Sequence, residues 1–143
     1  MAIMVQDSGA ASILNAYFNN TWAAGGKNIV MHLFTNNVTP ADTDTAGTYT
    51  EASGGGYSAI TLNNGSWTVS SVGSIEQAAY AAQTFTFTGA LTGSATVYGY
   101  YVVDASGTLL FSELLAAPFK PANNGDNIQI TPTFQASHGT PTT

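Results

Sequence analysis

Residues 95–115, ATVYGYYVVDASGTLLFSELL, limit the fold more than any other stretch of the chain. Side chains alternate across a strand, so Val97, Gly99, Tyr101 and Val103 share one face and Tyr98, Tyr100 and Val102 share the other. Both faces are apolar or aromatic, which predicts a central strand covered on two sides rather than one facing water. Asp104, Ala105, Ser106 and Gly107 then read as a turn. The Asp carboxylate can accept from backbone N–H groups two residues on, and Gly107 can take the positive φ that closes a type I turn with a bulge. Residues 108–115 return as the partner strand, with Leu109 and Phe111 on one face and Leu110 and Leu114 on the other. A hairpin this apolar needs further layers, and the rest of the chain has to supply them.

Shorter strand patterns surround it. Residues 28–35 (NIVMHLFT) are apolar on both faces apart from His32. Residues 57–62 and 66–72 flank Asn63, Asn64 and Gly65, and the Asn-Gly dipeptide between them predicts a hairpin. Residues 75–82 fit strand or helix. In residues 84–88 the two phenylalanines, Phe85 and Phe87, point inward and the threonines outward. Residues 126–134 alternate again, with Ile128, Ile130 and Phe134 on one face and Pro132 predicting an edge position or a strand end.

Ahead of these, residues 7–20 carry the one long helical pattern. Ser8 is placed to cap it, Ile13, Leu14, Tyr17 and Phe18 form its stripe, and Asn19, Asn20, Gly25 and Gly26 end it. The chain 1–143 thus reads as a single all-β domain. Residues 1–26 are an N-terminal helical segment and residues 135–143 a polar tail. The expected architecture is a two-sheet antiparallel β-sandwich, jelly-roll-like, with about eight strands and a short N-terminal helix.

Charge narrows the function. Only 7% of residues are Asp, Glu, Lys or Arg, the two basic ones being Lys27 and Lys120, and the net charge is −6. Ordinary domains carry roughly 25% charged residues. With almost nothing to neutralise phosphate, nucleic acid and an acidic membrane surface are not expected partners. The 143 residues contain no cysteine, so disulfides and thiolate metal sites are excluded. The start, MAIMVQDSGAA, lacks the basic region and apolar core of a signal peptide, and no apolar run approaches the ~20 residues that span a bilayer. The expectation is a chain made in the cytosol that stays soluble there unless something other than a signal peptide exports it. A surface of Thr, Ser, Asn, Gln, Gly and Ala suits assembly, because burying it carries little charge-desolvation cost.

Candidate chemistry is sparse. His32 sits in an apolar strand, where a hydrogen-bonded imidazole beneath a loop is the expected role, and His138 belongs to the polar tail. Residues 36–56 form a long polar segment with Pro40, four glycines, Asp42, Asp44 and Glu51, which reads as a binding or contact loop. Asp42, Thr43, Asp44 and Glu51 offer hard oxygen ligands for Ca²⁺, but without the EF-hand spacing. Glu51, Glu76, Glu113 and Asp126 would have to converge in a groove to act as a glycosidase pair. Gly54, Gly55 and Gly56 precede a strand rather than a helix, so they form no phosphate cradle. Trp67, Tyr98 and Tyr100 can line a carbohydrate platform, although aromatic residues on strands more often fill a core. No nucleophile elbow accompanies the many serines. The sequence therefore assigns no catalytic residue, no metal ligand and no cofactor, and it reads as a non-enzyme.

Three segments, residues 32–40 (HLFTNNVTP), 80–89 (YAAQTFTFTG) and 97–111 (VYGYYVVDASGTLLF), resemble small structural proteins of tailed-bacteriophage virions. The resemblance spans most of residues 28–134. It implies a non-enzymatic β-sandwich subunit on the capsid surface that decorates and cements the shell by bridging major capsid subunits, through many weak contacts repeated over the particle. The alternative is a tail, neck or fibre-associated component binding a host glycan through surface aromatics near the loop, Tyr49 and Tyr57. A β-sandwich hydrolase is the third reading. A homo-oligomer is expected, because the helical stripe is surplus to a closed sandwich and can be buried against a neighbour. A trimer is preferred on the three-fold positions that a capsid offers.

The turn supplies the first test. Gly107→Val should lower stability by roughly 1 kcal/mol or more through backbone strain, read from denaturant unfolding midpoints.

Overall fold

The computed structural model describes residues 7–19, 28–73 and 75–136. In chain order these form helix α1 (Asp7–Phe18) and strands β1 (Ile29–Phe34), β2 (Ile60–Leu62), β3 (Thr68–Val72), β4 (Ile75–Ala79), β5 (Gln83–Thr86), β6 (Val97–Val103), β7 (Leu109–Phe119), β8 (Asn127–Ile130) and β9 (Thr133–Ala136). Among the described residues the protein is all-β apart from that helix and two short 3-10 turns, Ala46–Thr48 and Thr92–Ser94, and every strand pair is antiparallel. The sheets run β2-β1-β6-β7, β3-β4-β9 and β5-β8. They fall into two compact units. One holds residues 28–62 and 83–130, the other residues 1–27, 63–82 and 131–143.

In the larger unit β6 lies between β1 and β7, and all of its residues except Tyr98 are buried. The expected two-sided cover is present. On one face Tyr101 and Val103 join Phe34 and Tyr49 in a cluster that Val30, Val38 and Leu109 extend. Phe34 also explains the glycine in the middle of this strand, since its ring occupies the place that a Cβ on Gly99 would take. The β5-β8 sheet contributes buried Phe85, Phe87, Ile128 and Ile130. Phe87 meets Phe119 of β7 at 6.1 Å between ring centres. The Phe-in, Thr-out alternation holds from Thr84 to Thr88.

The β6-β7 turn forms as read. Gly107 has φ 86°, and its N–H donates to Asp104 O at 3.0 Å. Asp104 Oδ1 accepts from the N–H groups of Ser106 (2.8 Å) and Thr108 (2.9 Å). Open space surrounds the position of a Gly107 Cβ, so substitution there is strained by backbone conformation alone. The return strand differs from expectation. β7 runs on to Phe119 as an edge strand with register shifts at both ends, and none of its residues is fully buried. Phe111, which shares an apolar face with Leu109, is half-buried for that reason.

In the smaller unit α1 packs on β3 and β4. Ser8 lies inside the first turn rather than capping it. The buried stripe is Ala10, Leu14 and Phe18, spaced four apart, while Ile13 faces solvent with 61% of its surface exposed. Phe18 stacks at 4.5 Å from Trp67 and 5.5 Å from Phe134, so this stripe is consumed within its own chain rather than held out to a neighbour. The helix end is fastened by Gly65 N–H to Phe18 O and by Trp67 N–H to Asn19 Oδ1, both 3.0 Å. Asn20, Gly25 and Gly26 lie outside the described residues.

The Asn-Gly turn forms with Gly65 at φ 85°, yet it does not make a hairpin. β2 pairs with β1 in one sheet, whereas β3 pairs with β4 in another. Residues 75–82 resolve as strand β4, ending at Ala79. The run 126–134 is cut at Thr131 and fully buried Pro132 into β8 and β9, which join different sheets. Gln135 and Ala136, assigned to the tail, are paired to Gln77 and Glu76 in β9.

Phe18→Ala should cost about 3–5 kcal/mol, the usual range for emptying a packed aromatic site. That is a large share of a domain's stability, so loss of α1 helicity by circular dichroism at reduced denaturant concentration is the expected readout.

Candidate functional site

Residues 36–56 are a fastened cover over the larger sheet. After β1, Thr35 N–H donates to Thr50 O (2.8 Å) and Ala52 N–H to Leu33 O (2.9 Å), so residues 50–52 lie along the β1 edge ahead of β2. Asn36 ties the two ends together. Its Nδ2 donates to Thr48 O at 2.9 Å and its Oδ1 accepts from Thr50 N–H at 2.7 Å. Tyr49 then turns into the core, and its hydroxyl meets Asp44 Oδ2 and Ser112 Oγ, each at 2.8 Å. Burial pushes the Tyr49 phenol up. The backbone N–H of Ala41, with help from the Tyr49 hydroxyl, holds the Asp44 carboxyl below its ordinary value.

Glu51 is the second fastening. Its Oε1 accepts from His32 Nδ1 at 2.7 Å and from the Tyr57 hydroxyl at 3.0 Å. The same hydroxyl accepts from Leu33 N–H at 3.1 Å. Burial, and then the Glu51 charge, raise the Tyr57 phenol well above its ordinary range. His32 lies flat on Tyr101 at 5.0 Å, and Tyr101 on Tyr49 at 5.2 Å, so three rings run in a stack between the two carboxylates. The hydrogen-bonded histidine expected beneath a loop is what is found.

The glycine run has a packing role. Gly54, Gly55 and Gly56 all have positive φ, at 74°, 56° and 76°. A Cβ on Gly55 would stand 2.6 Å from Gly89 O and 2.8 Å from Ala90 O. This close approach lets Thr92 N–H reach Ser53 O and Thr88 N–H reach Gly55 O, both 2.8 Å.

The remaining candidates are dispersed. Glu113 accepts from Tyr100 OH at 2.6 Å, and Asp126 Oδ2 takes the N–H groups of Ala122 and Asn123. Glu76 is buried on β4 in the other unit. Glu51, Glu76, Glu113 and Asp126 therefore stand in four separate surroundings. Asp42 is exposed, and among the described residues no three His, Asp or Glu side chains stand close enough to share a metal ion. Trp67 and Tyr100 are buried, Tyr98 half-buried, and Tyr49 is in the core, so none of the four forms an aromatic platform. His138 lies outside the described residues. The Asn36, Tyr49 and Glu51 clamps were not foreseen. The one available signal was the occurrence of tyrosine and acidic residues together in an otherwise small-residue loop.

Among known families, the model described as "Podophage GP4 fiber I protein gp80" matches residues 5–134. The chain belongs to this family. As a member it is a structural protein of a tailed-phage virion, and the virion is where it resides. No curated protein and no solved structure matches the chain. The match ends at Phe134, as the resemblance did, and adds the N-terminal helix ahead of residue 28.

Two outcomes are expected. Glu51→Ala removes the acceptor shared by His32 and Tyr57 and should cost about 0.5–1.5 kcal/mol, measured by denaturant unfolding. Acid should act through the aspartates. Asp44, Asp104 and Asp126 are each held below their ordinary value, Asp44 and Asp126 first by backbone N–H groups and Asp104 first by the Ser106 hydroxyl. The folded form thus releases these protons more readily than the unfolded chain. Their contribution is fully present above about pH 4 and is lost as pH falls through the lowered folded values. Melting temperature should be level from pH 5 to 7 and fall below pH 4. The fall should be shallower in Asp104→Asn.

Proposed function

We propose that the chain is a fibre-associated component of the virion rather than a capsid cement protein. The observation that carries this reading is the family match, which extends over nearly the whole chain and is described by a fibre protein. Capsid decoration rested on three short segments and a general virion likeness, and nothing in the fold favours it over the fibre. The role is structural and non-catalytic. It uses no cofactor and is exercised through contacts with other virion proteins and with further copies of the chain. Three-fold symmetry was preferred on capsid geometry, and that ground leaves with the capsid reading. The glycan contact attached to the fibre reading loses its aromatic basis, since Tyr49 is buried and the Tyr57 hydroxyl is engaged by Glu51 and Leu33.

Cryo-electron microscopy of purified particles tests the proposal. Density fitting this chain should stand on the tail or its fibres. Density repeated across the capsid lattice at the junctions of major capsid subunits would reverse the assignment.

A further inference from the structure

The geometry points to a strand-accepting slot beside β5, filled in the virion by an extended, uncharged segment of another virion protein. The direction of the β5 backbone follows from its hydrogen bonds. Phe87 N–H donates to Asp126 O at 2.8 Å, and Phe87 O accepts from Gly125 N–H at 2.9 Å, so residue 87 bonds toward the β8 side. Bonding residues alternate along an antiparallel pair. Phe85, paired with Ile128, therefore also bonds toward β8, and Thr84, Thr86 and Thr88 direct their N–H and C=O groups to the outer edge. Thr88 confirms this, since its N–H reaches Gly55 O at 2.8 Å on that outer side.

Beyond that bond the two backbones part. Residues 56–60 lead away to β2 while β5 continues, and between them lies a groove of about 400 Å³ lined by Tyr57, Ser58, Ile60, Thr84, Phe85 and Thr86, together with Gly56 and Ala59. Tyr57 and Phe85 stack at 5.9 Å. Among the described residues no backbone group takes up the outward N–H groups of Thr84 and Thr86 or the N–H groups of Ser58 and Ala59.

Three features select a strand as the occupant. The outward groups of Thr84 and Thr86 recur at the two-residue interval of a sheet ladder. The β5-β8 sheet has two strands, so its β5 side is an edge, and a guest there would have a backbone wall on each flank. No residue lining the groove is charged, which matches an uncharged guest in a chain of net charge −6. Addition of a strand to an exposed edge draws its affinity from main-chain bonds, with side-chain pockets setting preference. The inference rests on membership of the virion and not on the fibre assignment.

Amide hydrogen exchange of the full chain, free and within purified particles, is the test. In the free chain Thr84 and Thr86 should exchange as open edge amides while Phe85 is protected. In the particle both should slow by about tenfold or more. A second arm uses Thr86→Pro, which removes an outward N–H and no bond to β8. It should fold, by near-ultraviolet circular dichroism, yet fail to enter particles. Equal exchange of Thr84 and Thr86 in free and assembled chain overturns the proposal. So does protection of both amides in the free chain, or their protection by dextran alone, which would give the slot to a saccharide. Incorporation of folded Thr86→Pro at the wild-type level overturns it too. Should Thr86→Pro not fold, the exchange comparison decides alone. A capsid location for the chain would remove the fibre assignment and leave this comparison unaffected.

Discussion

A strand with two apolar faces cannot meet water on either, so β6 can exist only beneath two covers. β1 and β7 satisfy its backbone at the edges, but its side chains need layers above and below. One face is closed by the 36–56 loop, which sends Tyr49 down onto Phe34 and Tyr101. This makes the loop part of the core rather than an appendage, and it accounts for the density of its fastenings. Asn36 closes its base, Glu51 anchors it to His32 and Tyr57, and the hydroxyl of Tyr49 reaches across to Ser112. Each bond holds in place a cover that the aromatic cluster needs.

The scarcity of ionised groups shapes how the remaining ones are used. Asp44, Asp104 and Asp126 each gather nearby N–H or O–H groups within a few residues, acting as local turn fasteners. The same few charges leave wide surfaces that can be covered by other proteins without stripping water from ions. That property fits a chain whose family belongs to a virion.

What could be read from the sequence was the local chemistry. The Asp104–Gly107 turn, the two-sided burial of β6 and the inward Phe85 and Phe87 follow from period and turn type, which need no knowledge of the partner. Partner choice was not legible. The Asn-Gly turn formed with the expected φ at Gly65, but β2 paired with β1 and β3 with β4, in different sheets. Nor did the helical spacing tell which flank of the stripe would be covered, and the helix turned Ala10 inward and Ile13 outward. The pattern fixed a stripe, and Ala10, Leu14 and Phe18 are the side of it that the sheet covers. The loop clamps join residues 5 to 63 positions apart through side-chain atoms, and no periodic pattern encodes such pairs.

The path of the chain through its two units has a consequence for folding. The smaller unit is assembled from three separate stretches, and its α1 and β9 stand at the two extremes of the described chain, both against β4. The β3-β4 hairpin is thus closed by segments from opposite ends of the described chain, so the smaller unit completes itself only when residues more than a hundred positions apart have met.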